Sequence, residues 1–166
     1  ESVVSRISAH DRSGLRAVRS NENPQEHHMT SATPSRLPEL VSRNAKPLLA
    51  SWLAHQRASS AARLDLISNS ELDDQSKRFL ASVEAALNAG SYDDPSSNGW
   101  TDARELLREI SRSRAIQGFS PNETASFVFS LKQPLFDLVR RELGAQPQQV
   151  ADETWRISLI VDQLGL

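Results

Sequence analysis

Gln117-Gly-Phe-Ser-Pro-Asn-Glu-Thr-Ala-Ser-Phe-Val-Phe-Ser-Leu-Lys-Gln-Pro-Leu-Phe136 holds a helix stop, a helix start and the densest apolar run of a 166-residue chain. Gly118 can take the left-handed conformation that closes a preceding helix. Ser120 reads as an N-cap, Pro121 as the first helical residue and Glu123 as the acid that completes a capping box. Phe127, Val128, Leu131, Leu135, Phe136 and Leu138 follow at the spacing of one buried helical face, with Phe129 beside them. Pro134 interrupts this run and, lacking a backbone donor, predicts a bend there. Four of the five phenylalanines lie between Phe119 and Phe136, so the core is expected to be built around this helix, which ends near Gly144.

Upstream of Gly118, Ala103, Leu106, Leu107 and Ile110 form the buried side of a helix led by Trp100, with Thr101 as its N-cap. Downstream, Pro147 starts a last helix that carries Val150, Ile157, Ile160, Val161 and Leu164 along one side, with Trp155 beside them. Ser70-Glu-Leu-Asp73 predicts an acidic variant of the capping box, followed by Leu72, Phe79, Leu80, Val83 and Leu87 and a stop at Gly90. The first helix is predicted over about 37–57, from Leu37, Leu40, Val41, Leu48, Leu49, Trp52 and Leu53. Pro38 suits its first turn, and Pro47 predicts a kink or a junction of two short helices. No stretch reads as a strand and no repeat is present. The reading is all-α, with about five main helices and one or two shorter pieces.

Residues 1–35 read as a disordered tail, rich in Ser, Arg, Asn, Pro and His and without sustained apolar periodicity. The only methionine, Met29, is then expected to be the natural start, with an added or upstream-frame segment before it. His27 and His28 fall in this tail, where flexible neighbours do not fix metal geometry. Residues 36–166 are expected to form the folded domain, a size that supports one core.

Charged residues make up 24% of the chain and the net charge is -2, so the strongly basic character of a nucleic-acid binder is missing. The absence of cysteine excludes disulfides, thiol catalysis and thiolate metal sites. No apolar run approaches the roughly 20 residues needed to cross a bilayer. A cytoplasmic protein without a membrane or nucleic-acid partner is expected. No serine triad, phosphate loop, paired-histidine zinc motif or calcium loop is present, so no catalytic or metal-ligating set is assigned.

The run Arg114-Ala-Ile-Gln-Gly-Phe-Ser-Pro-Asn-Glu-Thr-Ala-Ser-Phe-Val-Phe-Ser-Leu-Lys-Gln-Pro-Leu-Phe136 resembles the signature of the RsbRD-type N-terminal domain. Such domains stand at the front of RsbR-like stressosome co-antagonists and of some sensor histidine kinases. The likeness extends from about Leu37 to Leu166. It implies a globin-related helical bundle acting as a sensory or scaffolding module, not an enzyme. It also implies a homodimer, with stressosome or kinase-pathway proteins as partners and a STAS output domain following the input domain. The alternatives are a globin-like sensor of haem or another small ligand, or the input module of a histidine kinase.

Two sets of residues are candidates for binding. Arg104, Arg108 and Arg112 recur four apart on one helical face, with Arg114 close by. Guanidinium groups pair well with carboxylates and phosphates, so this stripe could meet an anion or an acidic partner. Glu105 and Glu109 lie three residues before Arg108 and Arg112, so ordinary surface pairing also explains it. His55 is the only histidine within a predicted helix. If the resemblance to globins extends to haem, His55 is the one helical candidate for an axial ligand, though it sits on an early helix and globins use a late one. No other cofactor is expected.

Overall fold

The computed structural model describes residues 34–59 and 63–165, and the expected tail lies outside them except for Pro34 and Ser35. Helix α1 spans Leu37–Ala58, with Pro38 in its first turn, where no intrahelical donor is lost. Pro47 has no amide hydrogen to offer the Arg43 carbonyl, and its ring crowds that carbonyl. The helix is accordingly kinked three residues earlier, at Asn44, whose φ/ψ of -114/15 is not helical. The Asn44 amide donates to the Leu40 carbonyl at 2.9 Å.

Helix α2 spans Asn69–Asn88. Its cap is Ser68, whose hydroxyl accepts from the Glu71 amide, so the helix starts earlier than Ser70-Glu-Leu-Asp73 suggests. Ser68-Asn-Ser-Glu71 has the same spacing as the expected cap and places Ser70 inside the first turn. Gly90, at φ 81, follows the end of α2. A one-turn 3₁₀ helix, Asn98–Trp100, runs directly into α3, Thr101–Gln117. Thr101 is therefore the first α-helical residue and does not cap. Gly118 closes α3 in the left-handed region at φ 96.

Ser120, Pro121 and Glu123 start α4, Pro121–Phe129, with both bonds of the capping box present. The long fourth helix expected from the sequence is in fact two. α4 ends at Phe129, and α5 runs over Lys132–Leu143. The junction is at Ser130 and Leu131, upstream of Pro134. Pro134 is the third residue of α5, a position whose amide has no intrahelical acceptor, so it costs no hydrogen bond. Ser130 marks the junction: its hydroxyl donates to the Phe127 carbonyl at 2.7 Å and accepts from the Trp52 indole at 2.7 Å. Helix α6, Pro147–Gly165, follows the turn after Gly144.

The described residues are all-α, with six helices and one 3₁₀ turn and no strand. α1 lies between α2 and α5, α5 against α6, and α4 beneath α6, while α3 packs on α2. Trp52, Phe79 and Phe127, from α1, α2 and α4, meet at the centre with ring centroids 5.1 to 6.0 Å apart and tilted planes. Such pairs add about 0.5–1.5 kcal/mol each beyond the area they bury. Trp52 is fully buried, which removes it from any assembly face. No helix among the described residues is long and apolar enough to cross a membrane.

Candidate functional site: a buried arginine beside an apolar groove

The arginine stripe separates into three environments. Arg104 turns back onto the preceding loop, donating to the carbonyls of Pro95 and Ser97 at 3.0 Å and to the Thr101 hydroxyl at 3.3 Å. It helps close the α2–α3 loop over Trp100, whose indole donates to the Ser91 carbonyl at 2.7 Å. Arg108 and Arg112 are exposed and form no ion pair within 4 Å among the described residues. Glu109 is taken instead by Arg78 of α2 through two hydrogen bonds of 3.0 and 2.9 Å. Those bonds hold the Glu109 carboxyl below its ordinary range, with Arg112 adding only a through-space contribution.

Arg114 leaves the surface altogether. It is 1% exposed, and its guanidinium carbon lies 4.3 Å from the centre of the Phe127 ring and 4.9 Å from that of Phe119. Its Nε donates to the Gln75 side-chain oxygen at 2.9 Å, while its buried Nη2 has no partner. Burial pushes the guanidinium down to about 10, opposed by the charge of Glu71. The group therefore stays cationic at neutral pH. Glu71 reaches it only indirectly, accepting from Gln75 at 3.3 Å and from Gln117 at 2.7 Å. A buried donor left unmade costs roughly 1–3 kcal/mol, and two desolvated cation–π contacts at about 2 kcal/mol each are of a size to offset it.

The same two phenylalanines line a groove of about 350 Å³ between α3 and α4, closed at one end by Leu164 and Gly165 of α6. Leu107, Ile110, Ala125 and Val128 form its apolar walls, and Ser111 and Thr124 supply the hydroxyls. A volume of this size is in the range of small-molecule sites. By contrast, the gap at the core centre, beside Leu37 and Phe79, is about 10 Å³. A third crevice, between Pro47 and Pro134, is about 40 Å³.

A second buried charge joins the first and last helices. Glu153 of α6 is 2% exposed and accepts from the Arg36 amide at 2.6 Å and the Ser35 hydroxyl at 2.8 Å. Arg36, which precedes α1, has no side-chain cap of its own, so α6 supplies one. Arg156 bridges Glu153 at 3.3 Å and Asp93 of the α2–α3 loop at 2.9 Å, and packs over the half-buried Tyr92. The outer face of α6 carries two large apolar side chains, Trp155 66% and Leu159 42% exposed, among polar ones.

His55 is exposed near the end of α1 and lines none of these three cavities. Its charge is felt by Asp137 of α5, whose carboxyl is held down chiefly by Arg140 and Gln133. Among the described residues no three His, Cys, Asp or Glu side chains come together as a cation site.

Sequence reasoning placed Arg114 only beside the surface stripe and passed over Glu153, yet the burial of both carries a legible signal. Ala103, Leu107, Ile110 and Arg114 are spaced by four, three and four residues, so Arg114 continues the buried register of α3. Glu153 occupies the same kind of place between Val150 and Ile157. A charge in an apolar register is the pattern to look for.

No curated protein and no solved structure matches the chain. The family comparison does give a match, over residues 46–166, from just after the α1 kink to the end of α6. The matched segment contains the capping box, Arg114 and the groove, and on that match the chain belongs to the family of the RsbT co-antagonist protein rsbRD N-terminal domain.

Proposed function

We propose that this chain is the regulatory, non-enzymatic input domain of a cytoplasmic RsbR-like stressosome co-antagonist, and that it passes a signal to a C-terminal STAS output domain. Family membership over residues 46–166 carries the reading. The arrangement of α6 supports it. One helix caps the start of α1 through Glu153, grips the α2–α3 loop through Arg156, and pairs with Lys132 of α5 through Asp162 at 2.6 Å. A change in packing anywhere in the bundle therefore reaches the C-terminal helix. Its exposed Trp155 and Leu159 suit the homodimer that the family implies. The globin relationship belongs to the same proposal.

The reading frame beyond Leu166 tests it. A STAS-like continuation supports a co-antagonist, whereas a dimerisation helix with a phosphoacceptor histidine makes this the input module of a kinase. Arg108 and Arg112 remain the candidate surface for an acidic partner. Charge reversal, Arg108→Glu, is expected to weaken binding of a co-antagonist or kinase partner in a titration, and unchanged affinity would reduce the pair to a solvated face.

A small-ligand sensor is the second reading, and the groove beside Arg114 favours it. Haem does not fit that groove, because no histidine lines it and His55 lies on the exposed side of α1.

A further inference from the structure

Phe119 and Phe127 belong both to the groove and to the surroundings of the buried guanidinium. Each ring forms part of the groove wall and stands against the guanidinium of Arg114. Behind an uncharged, mainly apolar surface there is thus a cation with an unpartnered donor, and Glu71, whose charge it feels, is linked to it by hydrogen bonds only through the Gln75 side chain. A molecule complementary to both features has an apolar body and one anionic end. The charge requirement points to a carboxylate. A phosphate ester would bring up to two charges to a single guanidinium behind the wall, and the groove lining itself holds no cation.

We propose that the α3–α4 groove binds a small amphipathic carboxylate of the fatty-acid class, with its chain along Leu107, Ile110, Ala125 and Val128 and its carboxylate on Arg114. Contact with Arg114 requires the Phe119 ring to move aside. It directly follows Gly118, and its amide donates to the Arg114 carbonyl at 3.0 Å, so ring and cation share one turn of backbone. Swinging the ring aside would exchange a cation–π contact for a charge-assisted hydrogen bond. Occupancy would be felt at the last turn of α6. Leu164 and Gly165 border the groove, and Gly165 lies so close to Phe129 that an added Cβ would stand 2.5 Å from the ring. The inference rests on the input-domain reading only for its purpose, since binding itself is a property of this chain.

Isothermal titration of the chain with sodium decanoate and with decanol provides the test. Decanoate is expected to bind at one site and decanol at least tenfold more weakly. Arg114→Gln should bring the two affinities together. Because that substitution alters the core, Ala125→Phe serves as the second variant: it fills the groove from a half-buried position and should weaken decanoate at least tenfold while leaving a cooperative thermal transition. Equal affinity for acid and alcohol, undiminished binding by Ala125→Phe, or no saturable decanoate binding would each overturn the site. Any of those results would leave the input-domain reading standing, because that reading depends on the reading frame after Leu166.

Discussion

Glu123 carries more bonds than a helix cap requires. Its carboxylate accepts from the Ser120 amide and hydroxyl, both at 2.8 Å, and from Arg63 at 2.7 Å across the space between the α1–α2 loop and α4. The Ser120 amide, then Arg63, hold this carboxyl at about 2 instead of the ordinary 4.5. A carboxylate favoured in the folded state stabilises it above the unfolded value, and the advantage is lost as the group protonates. The stability gap between the parent chain and Glu123→Gln is therefore expected to be full above about pH 5, to shrink as pH falls through 4.5, and to close near pH 2. Urea melts at several pH values measure it. A gap that does not change with pH would show that the bonds do not depend on the ionised form.

At the scale of the element, the α3–α4 turn depends on Gly118. An added Cβ there would meet nothing within 4 Å, so the cost of a side chain comes from backbone conformation alone. Gly118→Ala should lower stability by roughly 1–2 kcal/mol, the usual penalty for an L-residue in the left-handed region. A chemical denaturation midpoint shifted without a change in slope is the expected signature. This turn was readable from local chemistry, as were the capping box, the Pro147 start, the Pro47 kink and the all-α class, since each depends on neighbours within one or two turns. The break between α4 and α5 was readable in part: Pro134 predicts an interruption, and it lies one turn upstream at Ser130 and Leu131, as the kink at Asn44 lies upstream of Pro47. The bond from Trp52 to Ser130, two residues 78 apart in sequence, was not readable. The same limit hid the fate of the arginine stripe. Four-residue spacing places Arg104, Arg108 and Arg112 on one face, but only the packed neighbours decide that Arg104 closes a loop while Arg108 and Arg112 meet solvent.

Across the whole molecule, Glu153 ties the two ends of the described chain together. Glu153→Ala would remove the cap of α1 and take from the partly buried Arg156 one of the two carboxylates it meets among the described residues. Breaking a buried pair in this way costs roughly 3 kcal/mol. Amide exchange should rise at both Leu37–Leu40 and α6, far apart in sequence, and acceleration confined to one of them would mean that the bond does not couple the ends. The proposed dimer makes a separate prediction. Trp155→Glu, on the exposed face of α6, should shift the mass found by light scattering from dimer to monomer while leaving the helical circular dichroism unchanged, and a dimer that persists would place the interface elsewhere.

The three tryptophans have one more use. Trp52 and Trp100 are fully buried and each indole nitrogen has a hydrogen-bond acceptor, while Trp155 stands in solvent. Excited near 295 nm, the monomer should emit as two populations, one blue-shifted and shielded from acrylamide, the other red-shifted and readily quenched until dimerisation covers Trp155. The red component reports on the outer face of α6, and the blue one on the core. Events at the surface and rearrangement of the interior could thus be followed at once, without attaching a dye.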